Sequence, residues 1–260
     1  IRCRDRVTFE KASQKTDDHH AFRAMAAYEK WMEDGSDEAK RELAILRAIG
    51  LFDRPATADC LQALLEAPAI PGLTEPLVGL PEDDWNCSLD SLETARLVTV
   101  NREASAIPHS ALRVPHSLDA HPLLREYFAR RVRDGSFWSS FFRKLLHRIF
   151  PRISAASPAY RAAHRRLYEH LCATTPDKDQ PTLEDLQPLY QAVAHGCQAG
   201  LQQEACDKVY IARTLRGNEH YSLHKLGLFA SDLGAVACFF EKPWSRVSPA
   251  LTEADQAWLL

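Results

Sequence analysis

The 260-residue sequence has no apolar run approaching the roughly 18 residues that a membrane-spanning helix needs, and it does not open with the charged, apolar and small-residue succession of a secretory leader. The seven cysteines (Cys3, Cys60, Cys87, Cys172, Cys197, Cys206 and Cys238) are odd in number, scattered, and include no C-x-x-C pair, a pattern that fits reduced thiols serving as small core residues in a cytoplasmic protein. No Gly-rich loop ends in Gly-Lys-Ser/Thr, so backbone amides and a lysine that could cradle phosphates are missing. There is also no G-x-S-x-G elbow, no H-E-x-x-H and no dinucleotide fingerprint. His220 and His224 stand at i, i+4 without an accompanying cysteine or carboxylate cluster, so neither a metal site nor catalytic machinery is expected.

What is present is a sizeable apolar fraction, 45%, enough to build a hydrophobic core rather than a disordered chain. The chain starts at Ile1, and its last stretch, from Thr252 to Leu260, begins like a capped helix without a terminating signal. Both ends are therefore expected to have been cut from a longer polypeptide. The net charge of -3 is unevenly spread: Arg125 to Arg166 holds ten arginines and one lysine against Glu126 and Asp134, about +9, which leaves about -12 for the rest.

Apolar spacing predicts a helix from Asp18 to Glu33, with Phe22, Met25, Ala26, Tyr28, Glu29 and Trp31 along its apolar face. A second helix runs from Asp37 to Ala48 and is closed by Gly50. A third starts after Thr57 and ends before the Pro68-Pro71-Gly72 breaker. Pro81 stands at the first position of a fourth, with Trp85, Leu89, Leu92 and Ala95 on one face. The β-branched run at Leu97-Val98-Thr99-Val100, the Pro-broken stretch Asn101 to Pro115, a return segment at Ser117-Leu118-Asp119-Ala120 and a new helix at His121-Pro122 complete the order of a winged helix-turn-helix.

Phe137 to Phe150 carries apolar pairs every four residues between polar, mostly basic ones, and reads first as a basic amphipathic connector that packs on neighbouring helices, with a membrane-surface helix or a partner-binding helix as the other readings. From Ser157 on, helices are predicted at Pro158 to Cys172, Thr182 to Gln198, Gln202 to Leu215, Leu223 to Phe240 and from Glu253, with Gly200 and Gly217 as stops. Small residues crowd these segments (Ala192, Gly196, Gly227, Gly234, Ala235), as where stacked helical pairs approach closely. The fold class expected is thus mainly α, a winged helix-turn-helix followed by a tetratricopeptide-like helical solenoid. The expected divisions are 1-36, the end of a helical domain or linker; 37-135, the winged helix; 136-156, the connector; and 157-260, the start of a repeat-like sensor.

A winged helix invites a DNA-binding reading, but the helix that would enter the groove carries Glu82, Asp83, Asp84, Asp90 and Glu93 against a lone Arg96, and a phosphate backbone would repel it. Neither nucleic acid nor membrane is expected as a partner. The alternative function retained is a winged-helix transcription regulator with a helical-repeat ligand-binding part.

Two runs, Glu42-Leu43-Ala44-Ile45-Leu46-Arg47-Ala48-Ile49-Gly50-Leu51-Phe52-Asp53-Arg54-Pro55 and Leu118-Asp119-Ala120-His121-Pro122-Leu123-Leu124-Arg125-Glu126-Tyr127-Phe128, resemble bacterial STAND-class signalling ATPases, the prokaryotic relatives of plant NB-ARC resistance proteins and of the apoptotic protease-activating factor. Ala120-His121-Pro122-Leu123-Leu124-Arg125 is similar to the Met-His-Asp-Leu-Leu motif of the NB-ARC winged helix, with Pro122 in place of its acidic residue. The resemblance covers the chain in order, and the Phe137 to Phe150 stretch is an addition to the family pattern.

The resemblance implies a nucleotide-binding core preceding this chain, then the end of a helical domain, a winged helix and a superhelical sensor. It implies that His121 senses nucleotide by contacting the β-phosphate of ADP in the resting state, and that the chain itself is not an enzyme and holds no cofactor, ADP or ATP with Mg belonging to the parent protein. The implied partners are the upstream nucleotide-binding domain of the same chain, a protein or peptide ligand at the sensor, and further copies in an oligomer formed on activation. The role implied is signal transduction, as in bacterial defence.

Overall fold

The computed structural model describes residues 21–102, 115–135 and 156–260. The expected helix start at Asp18, most of the Asn101 to Pro115 stretch and the Phe137 to Phe150 connector lie outside the described residues. The chain is mainly helical and divides into two compact units, Ile1–Ala155 and Ala156–Leu260.

In the first unit residues 21–33 form helix α1. Helix α2, Asp37–Ile49, follows at once: Ser36 accepts the Ala39 N–H at 3.3 Å through its hydroxyl, Asp37 and Glu38 sit at the positive end of the helix dipole, and Arg47 sits at the negative end. Leu43, Ala44, Ile45, Leu46, Ala48 and Ile49 are all buried, and so are Glu42 and Arg47 among them, so the second half of α2 is enclosed nearly all round, as in a central helix. Gly50 ends it where no side chain fits: a Cβ there would stand 2.7 Å from the backbone nitrogen of Ala129 and 2.9 Å from the carbonyl carbon of Phe128. Gly50→Ala is therefore expected to push two backbones apart and to lower stability by about 1–3 kcal/mol, read as a reduced urea midpoint for this unit.

A two-residue strand β1 (Ala56–Thr57), too short for any alternation to announce it, precedes helix α3 (Ala58–Leu65). Helix α4 (Glu82–Thr94) buries Trp85, Ser88, Leu89 and Leu92 and turns its acidic side outward; Ala95, expected on the buried face, is exposed. Strands β2 (Val98–Asn101) and β3 (Ser117–Ala120) pair antiparallel, with Val98 opposite Ala120 and Val100 opposite Leu118. β1 joins the other edge of β3, Ala56 opposite Leu118, so the sheet order is β1-β3-β2. Val98, Val100, Leu118 and Ala120 point to the core while Thr99 faces solvent, the period-2 alternation of a sheet covered on one side. Helix α5 (Pro122–Asp134) starts directly after β3, stops at Gly135 in the left-handed conformation (φ 64°), and packs on α2.

The face of α1 differs from expectation. Tyr28 and Trp31 are exposed, at 38% and 62%, and stack on each other, whereas Glu29 and Met32 are buried. The covered stripe is Phe22 and Met25, both half-buried, with the buried Glu29 and Met32, so it includes a carboxylate.

In the second unit α6 (Pro158–Thr174) begins with Ser157 capping the Tyr160 N–H and Pro158 at the first helical position. Helix α7 (Leu183–Ala199) begins with a reciprocal Thr182–Asp185 capping box and ends at Gly200 (φ 86°). The two pack closely, because Gly196 leaves room for Tyr168 of α6 and for Ala205 of the next helix, whose Cβ lies 2.8 Å from where a Gly196 Cβ would stand. That next helix, α8, starts at Gln202–Glu204 and continues as π-helix over Ala205–Leu215, a widening that no side-chain period announces. Its stop is Arg216 (φ 59°) rather than Gly217 alone. Arg213 and Arg216 reach across to the last turn of α6 and the segment after it: Arg213 donates to the Asp177 carboxylate at 2.6 Å and to the Cys172 carbonyl at 3.1 Å, and Arg216 to the Asp179 carbonyl at 2.6 Å.

The single helix expected from Leu223 to Phe240 is two. Helix α9 (Tyr221–His224) and helix α10 (Phe229–Cys238) are separated at Gly227 (φ 64°), and Phe240 belongs to a β-hairpin, β4 (Phe240–Lys242) with β5 (Arg246–Val247). The break lets the buried Asp232 accept the hydroxyls of Ser222 and Tyr190, each at 3.0 Å, and a buried carboxylate without such donors would not be tolerated. Helix α11 (Glu253–Leu259) closes the unit.

Candidate functional site

His121 stands between β3 and α5, one residue beyond the buried Ala120, with its backbone extended (φ -54°, ψ 138°) and its side chain exposed. It is the N-cap of α5. Its Nδ1 accepts the Leu123 N–H at 3.2 Å, and its carbonyl accepts the N–H groups of Leu124 at 2.9 Å and Arg125 at 3.1 Å. Pro122 has no N–H to satisfy and is pre-set for the first helical position, so the whole first turn of α5 is spoken for by one residue.

Because Nδ1 is an acceptor, the neutral ring carries its proton on Nε2. That N–H belongs to an exposed imidazole at the positive end of a 13-residue helix, a combination suited to donating to an anion. The neighbouring cation is occupied. Arg125, largely covered, forms an ion pair with Asp119, Nη1 to Oδ1 3.0 Å, and that oxygen accepts the Ala120 N–H at 2.8 Å. Asp119 and Arg125 thus brace the strand-to-helix junction on either side of His121.

Behind this junction lies a polar cluster that the sequence did not disclose. Glu29 of α1 accepts from Arg47 of α2 at 2.8 Å and from Tyr127 and Arg131 of α5 at 2.7 and 2.6 Å, with its side chain 1% exposed. Burial by itself would raise the Glu29 pKa; hydrogen bonds from Tyr127 and Arg47 and the charges of Arg131 and Arg47 outweigh it and hold the carboxyl below its ordinary value. Burial, reinforced by the Glu29 charge, moves the Tyr127 phenol the other way, upward. Only Glu29's place in an apolar stripe could have drawn attention to it.

The acidic side of α4 is partly neutralised within the unit: Arg41 meets Asp84 at 2.7 Å, and Arg102 meets Glu93 at 2.6 Å and Asp90 at 2.5 Å. Glu82 and Asp83 remain exposed at its N-terminus.

In the second unit the rings of His220 and His224 come to 5.5 Å, with His220 in the left-handed region (φ 47°). Neither belongs to a group of three or more close metal-ligand side chains among the described residues. Cys206, Asp207 and Asp255 do form such a group, their ligand atoms within 4.8 Å of one another. Gln203 already fills its centre: its amide donates to Asp207 at 2.8 Å and to Asp255 at 2.7 Å, while Asp255 also caps α11 with Thr252. These bonds account for the cluster as the tie between α8 and α11. The buried Cys206 thiol, with both carboxylates nearby, is pushed up to about 12, which suits an inert core thiol.

No protein-family model, curated protein or solved structure matches the chain.

Proposed function

We propose that this chain is the regulatory, sensor-proximal segment of a STAND-type signal-transduction ATPase, a hinge that senses nucleotide state and an interaction module rather than an enzyme in its own right. The observation that carries the reading is His121: an exposed imidazole with its proton on Nε2, fixed at a helix start directly after a core strand. Such a group can face a phosphate supplied by a preceding nucleotide-binding domain. The order helix, short strand, two helices and two strands, with sheet order β1-β3-β2, supports a winged helix for 37-135. The close packing of α6, α7 and α8 at Gly196 supports a tetratricopeptide-like start of a sensor at 157-260. Phe229 and Leu233, 62% and 54% exposed one turn apart on α10, are surface that a protein or peptide ligand would cover.

In the closed state ADP, with Mg in the nucleotide-binding domain, would bias the hinge through His121, and ligand at the sensor would bias it the other way. Oligomerisation would follow opening. The test is ADP retention by the intact protein: His121→Ala should release ADP faster and raise ligand-independent signalling, and unchanged retention with unchanged basal signalling would end the proposal. A second expectation concerns the 260-residue chain alone, which should show no ATP turnover above a mock preparation; measurable turnover by the purified chain would contradict the assignment. The rival reading as a transcription regulator requires duplex binding that weakens steeply with salt, and the exposed acids of α4 oppose it.

A further inference from the structure

Besides its covered stripe, helix α1 has a second apolar face, open to solvent. Ala24, Ala27, Tyr28 and Trp31 recur at the i, i+3, i+4, i+7 spacing of one helical side, over about 10 Å of axis, and all four are exposed. The Tyr28 and Trp31 rings stack on each other, with centroids 5.6 Å apart and 26° between their planes, so the face carries a paired aromatic surface.

Beside this pair stands a carboxylate without a cation. Glu42 of α2 is 8% exposed, and among the described residues it has neither a hydrogen-bond donor nor an ion-pair partner. Its charge acts on the Tyr28 phenol: burial first and Glu42 second raise the phenol pKa, which sets the carboxylate near the aromatic pair. A carboxylate enclosed to that degree is costly unless a cation or donors meet it. The cations nearby are turned elsewhere. Arg41 meets Asp84 of α4 at 2.7 Å and Lys40 lies 3.6 Å from Asp37, while Arg23 and Lys30, five residues before and two after Tyr28, stand on the far flank of α1. Glu38, one turn before Glu42 on the same side of α2, is exposed and likewise has no partner among the described residues, so the charge beside the rings is negative.

We propose that this face is a docking site for an arginine-bearing segment of a partner protein, with one guanidinium laid on the Tyr28–Trp31 pair beside the Glu42 carboxylate. The chemistry selects arginine: a planar guanidinium stacks on an aromatic face and offers a fork of N–H donors to a carboxylate at the same time, whereas water holds a lysine ammonium more strongly. A free small cation would use the rings alone and leave Ala24 and Ala27 uncovered. A polypeptide can lie along both turns of the face, and the alanines let it come close. The proposal stands whether or not His121 senses nucleotide.

The probe is an alanine-based peptide with arginine at every fourth position, titrated into the full 260-residue chain at low salt, with lysine and citrulline versions of the same peptide for comparison. The arginine peptide should bind saturably, the lysine peptide about threefold or more weaker, and the neutral citrulline peptide about tenfold or more weaker. Trp31→Ala, which removes an exposed side chain, should weaken arginine-peptide binding by about 5- to 30-fold, and Glu42→Gln, which breaks no described hydrogen bond, by about fivefold or more. Both variants are expected to keep the parent's thermal midpoint. Absence of saturable binding, equal binding of the lysine peptide, or binding unchanged in either variant overturns the proposal, the last two marking a general attraction to acidic surface. Should a variant not fold, the parent chain decides by NMR: saturating arginine peptide should move the Tyr28 and Trp31 ring signals, and ring signals that stay in place rule the site out.

Discussion

Glu29→Ala should cost the first unit about 3–5 kcal/mol, because it takes from Arg47, itself 6% exposed, the buried one of two described carboxylate partners, the other being Glu33 at 2.5 Å, which is partly in water. Domains of this size have only about 5–15 kcal/mol in hand, so the variant is expected at the edge of unfolding at 25 °C. Urea unfolding followed through the buried Trp85 measures it, and a loss under about 1 kcal/mol would show that the cluster is not what ties α1 to α2 and α5. Truncating one partner costs more than replacing the set: Glu29→Leu together with Arg47→Met should recover much of the loss, since apolar side chains of similar volume remove the desolvation penalty along with the attraction.

The same cluster gives a pH dependence of determined sign. The Glu29 carboxyl sits below its ordinary value in the fold, so the unfolded chain binds its proton more readily. Its contribution is fully present above the unfolded pKa of about 4.3 and is lost as pH falls through the lower folded value. Acid therefore acts on the first unit through this carboxyl only below about pH 4.3.

What sequence reasoning found and missed follows from how local each signal is. Thr182 and Asp185, or Ser157 and Pro158, lie within one helical turn of the groups they satisfy, and those helix starts stand where their residue types place them. The alternation through Val98 to Val100 likewise needs no distant partner to be seen. Glu29 is the opposite case. Its partners Tyr127 and Arg131 lie about a hundred residues away, and the apolar stripe around it made Tyr28 and Trp31 look like better core candidates than they are. The break at Gly227 depends on Asp232 meeting Ser222 and Tyr190, and the π-helical widening of α8 has no side-chain period of its own. At the candidate site the position of His121 at a helix start was legible; that its own Nδ1 closes the cap, which fixes the proton on Nε2, depends on ring orientation and was not.

If the His121 ring both caps α5 and donates to a phosphate, as proposed above, substitution separates the two roles. Alanine removes both: the lost cap costs about 1 kcal/mol of stability, and the lost donor to a phosphate, a hydrogen bond to a charged group, costs about 1.5–3 kcal/mol of ADP binding, or roughly 10- to 150-fold. Aspartate restores the cap, since its carboxylate can accept the Leu123 N–H as Nδ1 now does at 3.2 Å, but it sets a negative charge against the phosphate. In the intact protein His121→Asp should therefore keep the parent's thermal midpoint yet lose ADP at least as severely as His121→Ala, and should signal without ligand. Were ADP retention in the aspartate variant to follow the restored stability instead, His121 would be no more than the start of a helix.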